Sequence, residues 1–207
     1  MKAPKQTVVA GGVFTEIKPP LAAATVRVEA ARCLECGGPY APAPCLVACP
    51  AAVPVPQFVA AIARGDTAEA ARQIFSTNLL GGTCARVCAT EMLCEGACVL
   101  HHEGRRPVEI GRLQRFATDQ AFAQGLALRP EPSVGCGIEV AVIGAGPAGL
   151  AAAYDLRVRG YGVTLFDRDA EPGGLLRTGI PEYRLPRSVL NRDIARILEL
   201  GVEFRGN

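Results

Sequence analysis

The sequence contains no tryptophan, and aromatic residues make up only 5% of its 207 positions. Any core must therefore be built chiefly from Ala, Val, Leu and Ile, which the 49% hydrophobic share can supply. No segment reaches eighteen consecutive apolar residues, so no stretch is long enough to cross a bilayer as a helix. Met1 to Val13 carries two lysines but no apolar run followed by a small-residue cleavage site, and no secretory signal is read there. A cytoplasmic location, where thiols stay reduced, is expected. Strong charge of either sign is also lacking. The formal net charge is +2, and the arginines, which outnumber the lysines, are dispersed rather than blocked. Neither nucleic acid nor a membrane surface is an expected partner. Apart from two groups of cysteines there is no internal repeat, and there is no low-complexity tract.

Cysteine, by contrast, is abundant. Eight of the nine cysteines lie between Cys33 and Cys98, and Cys136 stands alone. In a reducing compartment such crowding favours metal over disulfides, and the odd total argues against a simple disulfide framework. The first group is Cys33-x2-Cys36-x8-Cys45-x3-Cys49-Pro50, and the second is Cys84-x3-Cys88-x5-Cys94-x3-Cys98. Close spacing lets several thiolates converge on one soft centre without closing long loops. The C-x3-C-P ending is of the bacterial ferredoxin kind, in which the last cysteine ligates the other cluster of a pair. Two such groups favour two [4Fe–4S] clusters. Zinc remains an alternative, since eight thiolates could bind two zinc ions, although only Cys33/Cys36 has the knuckle spacing usual for structural zinc. A redox-active Cys33/Cys36 dithiol would leave six neighbouring cysteines unexplained. His101 and His102 could reach a metal but are read as a surface pair.

The chain divides near Arg129-Pro130-Glu131-Pro132-Ser133-Val134-Gly135-Cys136-Gly137, where Pro and Gly break regular structure. Before it the pattern is helical. Helices are expected over Thr25–Arg32 and Gln57–Arg64. Another should run from an Asp66 N-cap, with Glu69 in capping-box position, to about Ser76. A further helix over Glu109–Gln124 would place Ile110, Leu113, Phe116, Ala117 and Phe122 near one face. No strand pattern precedes Ile138. After the divide come an apolar strand (Ile138–Ile143), a helix (Ala148–Arg159), a strand (Val163–Phe166), a helix (Arg187–Leu200) and the start of a third strand (Val202–Phe204). That order is β-α-β with a further α-β beginning.

Between the first strand and its helix, Gly144-Ala145-Gly146-Pro147-Ala148-Gly149 fits G-x-G-x-x-G in the context that motif needs. The first glycine serves the tight turn, the second the approach of a pyrophosphate, and the third the packing of helix on strand. Phosphates would sit at the positive end of the helix. Asp167 ends the second strand eighteen residues after Gly149, placed to accept hydrogen bonds from ribose hydroxyls. The pattern points to a dinucleotide and does not separate FAD from NAD.

Val142-Ile143-Gly144-Ala145-Gly146-Pro147-Ala148-Gly149-Leu150 is followed by Gly173-Gly174-Leu175-Leu176 and Gly179-Ile180-Pro181-Glu182-Tyr183-Arg184-Leu185-Pro186. This combination resembles the small subunit of NADPH-dependent glutamate synthase and the N-terminal region of dihydropyrimidine dehydrogenase. The cysteine groups and Ile110-Gly111-Arg112-Leu113-Gln114-Arg115-Phe116-Ala117-Thr118-Asp119 are similar to the latter. The resemblance covers most of the chain. It implies one cluster on Cys33, Cys36, Cys45 and Cys98, and another on Cys49, Cys88, Cys94 and Gln114, with Cys84 and Cys136 spare. For FAD it implies Gly144, Ala145, Gly146, Pro147, Ala148 and Gly149 at the pyrophosphate turn, Asp167 on the adenosine ribose, and Gly174, Leu175 and Arg184 further along the cofactor. No catalytic acid or base is expected.

Two departures from the family pattern stand out. The Cys36-to-Cys45 interval is longer than usual, so a loop there is expected to bulge outward while Cys45 keeps its place. The sequence given also stops at Asn207, before the second G-x-G-x-x-G domain for NAD(P)H that the resemblance would add. The expected fold class is thus α plus α/β. Residues 1–130 would form an all-helical two-[4Fe–4S] ferredoxin-like domain, 131–137 a linker, and 138–207 the first part of an FAD/NAD(P)-binding Rossmann-like domain. The implied function is an iron–sulfur flavoprotein oxidoreductase subunit or fragment, relaying electrons between NAD(P)H, FAD and the clusters to a catalytic partner. The alternatives are a cluster-carrying docking or assembly module without its own flavin, and a zinc-stabilised nucleotide-binding regulator.

Overall fold

A computed structural model describes residues 16–126, 128 and 130–207. The Met1–Val13 segment, read above as carrying no secretory signal, and Arg129, at the head of the Pro/Gly stretch, lie outside the described residues. The chain forms two compact units. One spans Pro20–Glu131. The other holds Pro132–Asn207 together with residues 16–19. This differs from the expected division, which gave residues 16–19 to the helical part. The Ile17 N–H donates to the Tyr183 carbonyl at 2.9 Å, within the second unit.

The first unit is helical: α1 (Ala23–Ala30), α2 (Pro44–Val47), α3 (Val55–Arg64), α4 (Thr67–Phe75), α5 (Gly81–Val87), α6 (Val99–His102) and α7 (Ile110–Ala123), with a 3-10 turn at Thr90–Met92. On α3, Phe58, Val59 and Ile62 are buried, as their spacing predicts. Gly65 then takes a left-handed conformation (φ 88°) and ends the helix. Asp66 caps α4 by accepting the Glu69 N–H at 2.9 Å. The reciprocal half of the expected capping box is absent. The Glu69 carboxylate accepts from Arg72 (2.9 Å) and Gln73 (2.5 Å) one turn on, and the Asp66 N–H goes to the Ala61 carbonyl instead. On α7, Ile110, Leu113 and Ala117 are fully buried, while Phe116 is partly so. Phe122 belongs to a separate small cluster, its ring 5.8 Å from Phe75.

α1 begins and ends about two residues before its expected bounds. Arg32 leaves the helix because its guanidinium donates to Glu29 and to the carbonyls of Arg106 and Pro107. The short helices α2, α5 and α6 had no sequence signal. They are too brief for an apolar period, and α5 opens on Gly81-Gly82, poor helix formers. α5 is held by packing against α7. Val26, Phe58, Ile74, Leu100 and Leu113 form the main core of this unit, with Cys33, Cys45, Cys49 and Cys98 packed on it.

The second unit is an α/β layer: β1 (Glu139–Ile143), α8 (Pro147–Val158), β2 (Gly162–Phe166), α9 (Leu175–Thr178), α10 (Arg187–Leu198) and β3 (Val202–Arg205). The three strands are parallel in the order β1-β2-β3, with Val142 opposite Leu165 and Leu165 opposite Phe204. Leu150 and Ala153 from α8, Leu165 from β2, and Leu190 and Ile197 from α10 are fully buried and make the contact layer. Parallel strands joined through helices place the strand C-termini, and with them the glycine turn, at one end of the sheet.

Candidate metal centre and nucleotide turn

Cys33 is the third residue after α1, its N–H donating to the Ala30 carbonyl at 3.1 Å. Cys45 is the second residue of α2, whose first position is Pro44, where proline's missing N–H costs nothing. Cys98 is the residue before α6. Together with Cys36 these side chains line one cavity, closed on its other sides by apolar groups including Val55, Val59, Leu100, Val108 and Ile110. The lengthened Cys36–Cys45 loop turns at Gly37 (φ 112°) and closes with a Gly38 N–H to Ala41 carbonyl bond. Its tip residue Tyr40 is 99% exposed, and Cys45 still faces the cavity.

The electrostatics follow from that burial. Desolvation pushes the Cys33 thiol up, and the neighbouring Cys36 and Cys98 add repulsion. Cys45 is pushed up to about 11 by burial first, with Cys33 and Cys98 contributing. Four thiolates in such a place would repel one another strongly. A bound cationic centre reverses the balance by ligating the charged form.

The second gathering is centred on Cys94, which is buried. Its thiol is pushed up to about 12, chiefly by burial, then by Glu95, Cys88 and Cys49. Cys49, which belongs to the first sequence group, is thus among the groups that act on Cys94. Cys88 is the residue at which α5 ends and the chain becomes extended. Gln114, buried on α7, donates its amide to the Gly81 carbonyl at 2.9 Å, leaving Oε1 as its acceptor atom. Cys84 instead lies 3.8 Å from Asn78 Oδ1. His101 and His102 are exposed on α6, and Cys136 is exposed in the second unit. Among the described residues, no three His, Cys, Asp or Glu side chains are grouped to hold a single metal ion.

In the second unit the glycine turn is shaped by close contacts. Gly144 has φ 100°, and its N–H donates to the Phe166 carbonyl at 2.7 Å. A Cβ on Gly149 would lie 1.7 Å from the Gly144 oxygen, so only glycine lets α8 start here. Pro147 is the first residue of α8. Beside Gly146 a Cβ would meet nothing within 4 Å, which leaves room over the turn where the first N–H groups of α8 have no helical partner. Asp167 stands at the end of β2 as its spacing suggests. Its carboxylate accepts the Ala145 N–H at 2.5 Å and the Asp169 N–H at 3.0 Å. Those two amides, Asp169 first, hold it below the usual carboxylate range.

Gly174 and Leu175 sit where a second loop meets this turn. The Gly173 N–H donates to the Ala145 carbonyl at 2.8 Å, and a Cβ on Gly174 would be 2.8 Å from Gly146 Cα. Leu175 is 76% exposed, and Arg184 is exposed in the following loop. Sequence reasoning did not single out the groups that hold this loop. Arg177 donates to the Pro172 carbonyl (2.8 Å) and Asn191 Oδ1 (2.6 Å), and Arg187 donates to the Ile180 carbonyl (2.9 Å). Scattered arginines carry no motif, and only the folded loop reveals their partners.

Residues 11–126 match a family model described as dihydropyrimidine dehydrogenase domain II, 4Fe-4S cluster. The chain belongs to that family. Residues 142–191 match a NAD(P)-binding Rossmann-like domain model. Among curated relatives, the NAD-dependent dihydropyrimidine dehydrogenase subunit PreT of Escherichia coli strain K12 is 43% identical over 192 residues, 93% of this chain and 45% of that protein. The glutamate synthase (NADPH) small chain of Azospirillum brasilense is 37% identical over 194 residues, covering 94% of this chain and 39% of that protein. The Escherichia coli K12 glutamate synthase (NADPH) small chain is 40% identical over 196 residues, 94% and 40% respectively. The chain therefore spans less than half the length of these relatives. No helix among the described residues is long and apolar enough to cross a membrane.

Proposed function

We propose that the chain is the electron-relay part of an NAD(P)H-dependent iron–sulfur flavoprotein, holding two [4Fe–4S] clusters in its helical unit and FAD at the Gly144 turn. The observation that carries this is the convergence of Cys33, Cys36, Cys45 and Cys98, from distant parts of the sequence, on one apolar cavity. Soft thiolates ringing a hollow suit a polynuclear iron–sulfur centre. Cys49, Cys88 and Cys94 would hold the second cluster, with Gln114 Oε1 completing the set. When bound, FAD accepts hydride, and the clusters carry single electrons.

The chain's own residues bind, orient and exclude water. Val55, Val59, Leu100, Val108 and Ile110 keep the first thiol set out of water. Gly144, Ala145, Gly146, Pro147, Ala148 and Gly149 shape the pyrophosphate turn, and Asp167, just after β2, braces it through the Ala145 N–H and would accept hydrogen bonds from the ribose. Gly174, Leu175 and Arg184 would lie along the rest of the flavin, Arg184 as a cation near phosphate. Electrons would leave to a catalytic partner subunit or domain of the dihydropyrimidine dehydrogenase or glutamate synthase type, in the cytoplasm.

Anaerobic purification with iron, sulfide, zinc and flavin analysis tests this. About eight irons per chain, broad visible absorbance and flavin bands are expected. A colourless protein containing zinc would sink the proposal, and iron without flavin would remove its flavin half.

A further inference from the structure

We propose that Arg86, Arg115 and Asp119, a charge knot buried between α5 and α7, set the reduction potential of the centre held by Cys49, Cys88, Cys94 and Gln114. This rests on the iron–sulfur proposal above. The side chains of Arg86 and Arg115 are 4% and 6% exposed, and that of Asp119 is 32% exposed. Arg86 Nη2 donates to both Asp119 oxygens at 2.9 Å, and Arg115 Nε reaches Oδ2 at 3.3 Å.

The knot shares its helices with two of the four candidate ligands, Cys88 at the end of α5 and Gln114 on α7. Arg86 lies two residues before Cys88, and Arg115 directly follows Gln114. Both pairs also grip the same turn of α5. Arg86 Nη1 donates to the Gly82 carbonyl at 3.3 Å, while the Gln114 amide donates to the Gly81 carbonyl at 2.9 Å. The residues that line the cavity of the first thiol set are, apart from its cysteines, all aliphatic.

A cluster that takes up one electron becomes more negative by one charge. A fixed cation nearby stabilises the reduced form and raises the potential, and a fixed anion lowers it. Burial of the two guanidiniums keeps water and salt from screening them, while the part-exposed Asp119 carboxylate is screened more. Arg115 and Asp119 carry opposite signs, so their removal must move the potential in opposite directions. A purely structural staple between α5 and α7 has no such sign dependence, because losing either partner would only loosen the same contact.

The experiment is an anaerobic redox titration of the cluster-loaded protein, followed by electron paramagnetic resonance, with Arg115→Gln, Asp119→Asn and Arg115→Lys. At the wild-type midpoint of the affected cluster, Arg115→Gln is expected to lower the reduced-to-oxidised ratio by about threefold to tenfold. Tenfold corresponds to 59 mV for a one-electron couple. Asp119→Asn should raise the ratio by a smaller factor, about twofold to threefold, because solvent screens its part-exposed carboxylate. Arg115→Lys should stay near wild type, and the other cluster should not move. Shifts of the same sign in Arg115→Gln and Asp119→Asn, or none in either, overturn the proposal. Should Arg115→Gln fail to load iron, Asp119→Asn decides alone: an upward shift supports the assignment, and its absence overturns it. A wild-type protein without iron would instead overturn the iron–sulfur proposal itself.

Discussion

Glu29 offers the sharpest test of how the helical unit keeps its thiol cavity together. Its side chain is 6% exposed, and its carboxylate accepts from three directions. Oε1 takes Arg32 Nη1 at 2.6 Å and the Glu109 N–H at 2.9 Å, and Oε2 takes Arg106 Nη2 at 2.6 Å. These bonds join the end of α1, from which Cys33 departs, to the segment that carries Val108 and leads into α7. Glu29→Gln keeps the shape, removes the charge, and turns one acceptor into a donor facing a guanidinium. Breaking a buried ion pair costs about 3–5 kcal/mol when both partners are out of water. Arg106 is 58% exposed and Arg32 25%, so solvent screens much of that loss. Two of the three bonds can also persist to the remaining amide oxygen. We therefore expect a loss of about 2 kcal/mol in urea unfolding of the apo-protein, with the m-value unchanged. The loaded protein should also hold less iron, since the wall of the first cavity loosens. A Glu29→Gln protein within about 0.5 kcal/mol of wild type, the range of ordinary surface substitutions, would refute the reasoning.

The remaining predictions concern the ligands and the turn. Cys94→Ser should lose one cluster's share of iron by elemental analysis, whereas Cys84→Ser should retain the full content, because Cys84 sits by Asn78. Gly149→Ala places a Cβ 1.7 Å from the Gly144 oxygen. It should destabilise the second unit by about 3 kcal/mol or more and abolish dinucleotide retention in a flavin-release assay. Asp167 is held below its ordinary value of 3.8 by the Asp169 and Ala145 amides, so its stabilising effect is present above that pH and fades as pH falls through the lowered value. Asp167→Asn should therefore be less stable than wild type near neutrality, by under about 1 kcal/mol given its exposure, and the difference should vanish in acid.

Much of the local structure was legible beforehand. The periods of α3 and α7, the Asp66 cap that starts α4 and the three strands lie within windows of a few residues, where spacing and hydrogen bonding act directly. The same holds for the glycine turn, whose geometry is a backbone matter. Legibility failed for α2, α5 and α6, which are too short to show a period; α2 packs on α3, α5 on α7, and α6 is anchored by Leu100 in the core. It failed also for Glu69, whose two carboxylate oxygens are taken by Arg72 Nε and the Gln73 amide one turn away, leaving the Asp66 N–H to the Ala61 carbonyl.

By itself, then, the sequence determined the helical and α/β halves, the abundance of soft ligands, and a turn that only glycines can make. Each of these follows from interactions between near neighbours. Cysteine spacing alone left open which cysteines share a cavity; the resemblance implied the set, and in the tertiary structure Cys98 meets Cys33 and Cys36 beside Leu100, Val108 and Ile110. The tertiary structure alone joined Arg106 to Glu29 across 77 residues and Asp119 to Arg86 across 33. Long-range contacts of this kind leave no local pattern, because their partners are chosen by how the helices pack and by the need of buried charges for one another.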